Sequence, residues 1–371
     1  MGVRRQTLRL GQDGFGFAAA TFAVTAGAWS LSWPRRENYG DEDSNKRHSF
    51  ASCQAAPLVS EKNLVRYQTF PKVLGVGTYG KVVLGRDLVT GSQVAVKCVR
   101  SRHVSEGEVA AMREISARGG HENILKLIDV VQEPKRTLIV TELVAGEEMY
   151  ERLARDGPFA EEEAAALAKA MAEGVAFLHE QVGMAHCDLK PENVIVQTPK
   201  KDGAASLGAD HARVDETGTR LKIVDFGSAN ILATRAAEKR PDDRRLAWAG
   251  TNVYRPPESF GETVEDLATP LGKEADMFAL GCILFICLYG AHPFNPYEDL
   301  DESEICGRIK YGEWRFLDER SEMVSPLAKD LVRRLLDIDP RTRATASDVL
   351  QHPWLKAVAT PAAKSPAATM M

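Results

Sequence analysis

Between residues 74 and 227 four short patterns follow one another, and together they leave few ways to fold. First comes Leu74-Gly75-Val76-Gly77-Thr78-Tyr79-Gly80-Lys81-Val82, a glycine-rich turn between apolar stretches, then Val94-Ala95-Val96-Lys97, a lysine on the next-but-one strand. Ala185-His186-Cys187-Asp188-Leu189-Lys190-Pro191-Glu192-Asn193 places a carboxylate, a cation and a carboxamide on one short loop, and Val194-Ile195-Val196 continues it as a strand. Val224-Asp225-Phe226-Gly227 then sets a second carboxylate at a strand end. Each pattern alone is an ordinary turn or loop. In this order they supply backbone amides, a lysine, two carboxylates and a carboxamide, groups that can bind phosphate and hold a metal.

These four motifs resemble the signature set of eukaryotic protein kinases, and the resemblance covers about residues 67–354. Lys190 and Gly250-Thr251 point to the Ser/Thr class. The resemblance implies an α+β, two-lobed protein-kinase-like fold with a β-rich small lobe (67–141) carrying one main helix, a hinge (142–147) and a mostly helical large lobe (148–354). It implies an ATP- and Mg²⁺-dependent transfer of phosphate to Ser or Thr of protein substrates. Gly75, Gly77 and Gly80 would let amides close over the phosphates, and Lys97 would contact the α- and β-phosphates. Asp188 would orient the attacking hydroxyl, Lys190 would stabilise the γ-phosphoryl group, and Asn193 and Asp225 would hold the metal.

Lys97 needs a carboxylate partner on the following helix, where Glu106, Glu108 and Glu114 compete. Glu108 falls at helical spacing with Val104, Met112 and Ile115 on the apolar face, whereas Glu114 has Ala110 and Arg118 four residues away, so Glu108 is chosen. Gly119-Gly120 then ends the helix. By resemblance Thr141 guards the back of an adenine pocket whose base would bond the backbones of Glu142 and Val144 between Val82, Ala95 and Ile195. Glu148 lies where related kinases bind the ribose or a substrate arginine. With Glu192 it implies a preference for Arg at the third residue before the target, while Ile286 removes the acid that would read a closer one.

In the large lobe Glu161 to His179 reads as a helix with acids in its first turn and Leu167, Met171, Val175 and Leu178 along one face. Residues 197–219 form a long surface insert with no assigned role. The resemblance pairs Glu258 with Arg343, sets Thr251 against Asp188 and Lys190, packs His186 under Phe226 and uses Asp276 to anchor the catalytic-loop backbone. Ala291-His292-Pro293-Phe294, Ala328-Lys329-Asp330-Leu331 and Leu350-Gln351-His352-Pro353-Trp354-Leu355 look most like the calcium/calmodulin-dependent group. Only 17 residues follow Trp354, so residues 355–371 read as a disordered tail with no calmodulin-binding helix. Cys187 stands where the usual motif has arginine.

The ends differ in kind. Met1–Leu10 holds Arg4, Arg5 and Arg9 without an acid, and residues 14–33 are apolar and uncharged before Pro34-Arg35-Arg36. A leader over 1–34, a membrane segment through 14–33 and a disordered arm all stay open. Residues 35–66 read as a polar linker; Asp41-Glu42-Asp43 imitates a calcium loop, but Lys46 and Ser52 spoil it. A net charge of −5 gives no reason to expect nucleic acid. Six cysteines without CxxC spacing read as reduced thiols, which places the catalytic domain in the cytoplasm unless the N-terminal segment directs it to an organelle or membrane. Two other readings compete: a pseudokinase scaffold, expected to have lost Lys97, Asp188, Asn193 or Asp225, and a small-molecule phosphotransferase, expected to lack the Gly250–Glu258 segment.

Overall fold

The computed structural model describes residues 57–59, 65–77, 80–100, 106–134, 136–197, 220–231, 251–260 and 272–359. The leader, most of the linker, residues 198–219 of the insert and Thr78-Tyr79 lie outside the described residues, and Gln197, assigned to the insert, belongs to the preceding strand.

β-branched runs punctuated by glycine build the small lobe. Strands β1 (Pro57–Val59), β2 (Val65–Gly77), β3 (Gly80–Asp87), β4 (Gln93–Arg100), β5 (Leu127–Gln132) and β6 (Arg136–Glu142) form one antiparallel sheet in the order β1-β2-β3-β4-β6-β5. Gly91, at φ +76°, makes the β3–β4 turn. One sheet face buries Tyr67, Val83, Val94, Val96, Leu138 and Val140 as a core of its own. Arg66 on β2 reaches Asp87 (3.1 Å) and also Asp129 on β5 (3.3 Å), while Tyr67 Oη donates to Asp129 (3.0 Å). β2 and β5 are not neighbours in the order, so this contact requires the sheet to curl.

Helix α1 (Glu106–Ala117) crosses the other face and buries Val109, Met112 and Ile115. It stops at Gly119 and Gly120, at φ +92° and +70°, where the Gly120 amide caps the Ile115 carbonyl (3.0 Å). The irregular hinge runs over residues 143–146, because Glu147 already belongs to β7 (Glu147–Glu148).

The large lobe opens with α2 (Met149–Asp156) and α3 (Glu161–Ala176). The helix expected through His179 changes to π geometry at Phe177–Val182 and ends on Gly183 at φ +71°. Short strands β8 (Met184–Ala185) and β9 (Val194–Gln197) flank the catalytic loop. β10 (Arg220–Ile223) pairs with β9, which pairs with β7, and β11 (Asn230–Ile231) pairs with β8.

Helix α4 (Lys273–Tyr289) is apolar all round, and every residue from Ala275 to Tyr289 is buried, so it forms the axis of the lobe. Of the helices that follow, α5 (Glu302–Tyr311), α6 (Pro326–Leu335), α7 (Ala346–Gln351) and α8 (Pro353–Ala359), α6 packs on α4, and α7 and α8 pack on α3. Asp301 with Glu304 and Thr345 with Asp348 close reciprocal capping boxes on α5 and α7. Glu161, in the first turn of α3, accepts from the Ser325 amide (2.8 Å) and from Trp354 Nε1 (2.7 Å), tying α3 to α6 and α8.

Two boundaries read from composition move. Pro57–Val59, assigned to the linker, adds an edge strand to β2; proline is tolerated at the start of an edge strand, where its missing N–H costs nothing. The tail drawn from residue 355 begins as helix, since α8 continues to Ala359 behind the buried, hydrogen-bonded Trp354. Among the described residues no helix is long and apolar enough to cross a membrane.

Candidate active site

The catalytic loop is held from below by one buried carboxylate. Asp276 on α4 accepts from the His186 amide at Oδ2 and the Cys187 amide at Oδ1, both at 2.8 Å, and meets His179 Nε2 at 2.8 Å. Burial pushes the Asp276 carboxyl up, but the His179 bond and the loop amide outweigh it, and the group lies below its usual range. Cys187 itself adopts a left-handed backbone, φ +62°, which turns the chain just before Asp188. His186, fully buried, stacks edge-on to Phe226 (5.2 Å between centroids), accepts from the Asp188 amide at Nδ1 and lies 3.1 Å from the Val224 carbonyl at Nε2. That pattern defines the Nε2–H tautomer and leaves the ring no role as a base.

Asp188 is thereby aimed into the cleft. Its Oδ1 accepts from the Thr251 amide (2.7 Å) and hydroxyl (2.9 Å), and its Oδ2 lies 3.1 Å from Lys190 Nζ and 3.2 Å from Asn193 Nδ2. Lys190 also donates to Thr251 Oγ1 (2.6 Å). Asn193 spends its amide nitrogen twice on Asp188, on the backbone carbonyl (2.7 Å) and on the carboxylate, which leaves its oxygen for a hard cation.

Across the cleft, antiparallel register places Val82, Ala95, Lys97 and Thr141 on one face: Val82 lies opposite Lys97, and Ala95 opposite Thr141. Lys97 Nζ is 2.6 Å from Glu108 and 3.9 Å from Asp225, joining α1 to the large lobe. Glu114 instead pairs with Arg118 at 3.0 Å on the surface. Asp225, also left-handed at φ +64°, keeps its carboxylate half exposed and accepts from the Gly227 amide (3.2 Å).

Gly75 lies opposite Val82, and Gly77 opposite Gly80, at the end of the β2–β3 hairpin where the two strands connect. A side chain at Gly75 would meet nothing within 4 Å, whereas one at Gly80 would strike the Cys98 carbonyl at 2.3 Å. Gly75 therefore opens a cradle, and Gly80 lets β3 approach β4. Ile195 and Glu148 face each other across β9 and β7 on the large-lobe side. Val144 sits half-buried in the hinge. Glu142 uses its N–H on the Lys126 carbonyl (3.1 Å) and its carboxylate on Lys222 (2.6 Å), while its carbonyl accepts from Thr141 Oγ1 (3.3 Å) and keeps its second lone pair.

The far support is as expected: Arg343, with no exposed side-chain surface, grips Glu258 bidentately at 2.7 and 2.8 Å. Removing either partner leaves a desolvated charge, a loss of about 3–5 kcal/mol. Sequence reasoning missed His179 and Lys222; neither stands in a motif, and both act through partners distant in the chain.

Open space at Gly75, the free oxygen of Asn193, the exposed Asp225 carboxylate and Lys97 together fit a nucleotide triphosphate with a divalent cation. The protein kinase domain family matches residues 68–355. The chain is 36% identical over 306 residues to the serine/threonine-protein kinase PKZ1 of Phytophthora infestans, covering 80% of this chain and 72% of that protein. It is 32% identical to the calcium/calmodulin-dependent protein kinase cmkB of Emericella nidulans, covering 78% of this chain and 65% of that one. Against the serine/threonine-protein kinase H1 of Mus musculus the identity is 32%, with 77% and 61% covered.

Proposed function

The chain belongs to the protein kinase family, in a Ser/Thr branch related to the calcium/calmodulin-dependent kinases, and we propose that it is an active enzyme transferring the γ-phosphate of ATP to Ser or Thr of protein substrates. The observation that carries this reading is the Lys97–Glu108 ion pair beside Asp225, facing an Asp188 already oriented by Thr251, Lys190 and Asn193. A scaffold has no need to keep all of these groups in register.

In this reading Lys97, fixed by Glu108, positions the nucleotide phosphates, and the apolar faces of Val82, Ala95 and Ile195 take the adenine. Asn193 and Asp225 would hold Mg²⁺, which would supply positive charge to the phosphoryl oxygens. Asp188 accepts the proton of the substrate hydroxyl at a carboxylate oxygen now shared with Thr251, and Lys190 stabilises charge on the transferred group. Preorganised charge, more than covalent chemistry, supplies the rate.

Glu148 on β7 and Glu192 just before β9 lie on elements adjoining the loop, which supports recognition of an arginine three residues before the target. Five described cysteines are free thiols, in keeping with a cytoplasmic catalytic domain; a membrane role for residues 14–33 rests on sequence alone. A positional peptide library tests specificity: selection for Arg at the third residue before Ser or Thr is expected, and proline-directed or acidic selection would overturn that assignment.

A further inference from the structure

Three pieces of chain distant in sequence meet at the Lys222 ammonium. Lys222 lies on β10, three residues before Asp225 and opposite Ile195 of β9. Its Nζ is 2.6 Å from the carboxylate of Glu142, the last residue of β6, and donates to the Ile124 carbonyl (3.3 Å) in the loop after α1. The same Glu142 oxygen accepts from the Lys126 amide (2.8 Å). That loop is itself fastened to β10: the Leu125 amide donates to the Ile223 carbonyl (3.0 Å), and the Ile223 amide to the Asn123 carbonyl (2.8 Å).

The Lys222 and Glu142 side chains are only 15% and 28% exposed, so solvent and salt screen this pair less than an ion pair on the open surface. The pair also joins the lobes. β6 belongs to the six-stranded sheet of the small lobe, and β10 to the three-stranded β10-β9-β7 sheet of the large lobe. A bound nucleotide makes the same span: its adenine meets the hinge backbone that begins at Glu142, and its phosphates and metal meet Asp225. A ligand held at both ends binds best when their spacing is set before it arrives, because ordering them on binding costs affinity.

We infer that Lys222 is a positioning residue for the nucleotide: through Glu142 its ammonium fixes the hinge end of β6 to the strand that delivers Asp225. The inference rests on the phosphotransfer reading above and adds to it a residue that acts on ATP affinity and not on the reacting groups. Both the charge and the reach of the side chain matter, since one ammonium serves a carboxylate and a carbonyl from two separate segments.

The test is calorimetric binding of Mg·ADP to the full chain, at a temperature where every variant is fully folded. Lys222→Met keeps an apolar stem and removes the charge; it should weaken Mg·ADP about tenfold, and Glu142→Gln severalfold. Lys222→Arg, which keeps the charge, should recover most of the affinity. The double variant should bind no more weakly than Lys222→Met alone, because both substitutions remove one contact. In turnover the KM for ATP should rise in Lys222→Met while the KM for peptide stays within about twofold of wild type. A residue that only stabilised the fold would lower the melting temperature and leave the folded variants binding Mg·ADP like wild type, and that result overturns the inference alone. Additive losses in the double variant, or no recovery with Lys222→Arg, overturn it as well. A wild-type chain that bound no Mg·ADP would instead overturn the phosphotransfer reading, and the inference with it.

Discussion

Asp188 receives the Thr251 amide and hydroxyl, Lys190 and Asn193 on its two oxygens, so its orientation is set before any substrate arrives. Lys97 and Asp225 differ from it: both point into the cleft, and neither fills the core. Replacing Lys97 by Met or Asp225 by Asn should therefore reduce phosphotransfer to below a few per cent of wild type, with far-UV circular dichroism unchanged. Transfer persisting above that level in either variant would remove these residues from the reaction. Asp188, Lys97, Glu108, Asn193 and Asp225 were legible in the sequence because each lies within a short local pattern or a helix face. His179 was not: it supports Asp276 across 97 residues of chain, and no local spacing encodes that separation.

At the scale of elements, the β2–β3 hairpin separates two reasons for glycine that look alike in sequence. A methyl at Gly80 would press on the Cys98 carbonyl of β4, a backbone atom that cannot rotate away. Gly80→Ala should cost about 1–3 kcal/mol, read as a lower urea midpoint. A methyl at Gly75 meets open space, so Gly75→Ala should leave that midpoint near wild type and raise the KM for ATP by intruding on the phosphate cradle. The opposite pattern would exchange their roles. The order of strands and helices could be read from periodicity and glycine turns. β1 and the last turns of α8 could not: a three-residue strand beside β2 is too short to show a period, and α8 is tied through Trp354 at its start to Glu161 of α3, far away in the chain.

For the whole molecule, buried titrating groups set the response to acid. His292, 2% exposed, has its ring pushed down by burial from 6.5 to about 3, so the folded protein keeps it neutral. Between those values the unfolded chain binds a proton that the folded one refuses, and stability falls as the pH drops from about 6.5 towards 3. Asp276, held below its usual range, loses its contribution in the same direction. Urea midpoints should be highest near neutrality and decline on acidification, by up to about 1.4 kcal/mol per pH unit for each such group. A midpoint that rises from pH 7 to pH 5 would contradict these environments.

The central claim is that this arrangement of groups is a working phosphotransfer site. Initial rates of γ-phosphate transfer from Mg·ATP to a mixture of Ser- and Thr-containing peptides measure it most directly, for the wild-type chain and for Asp188→Asn. The substitution keeps the size of the side chain and an oxygen for Thr251 but removes the carboxylate. Transfer by the wild type and its loss by at least about a hundredfold in the variant is the predicted result. No transfer by the wild type, or equal transfer by both proteins, would contradict the account.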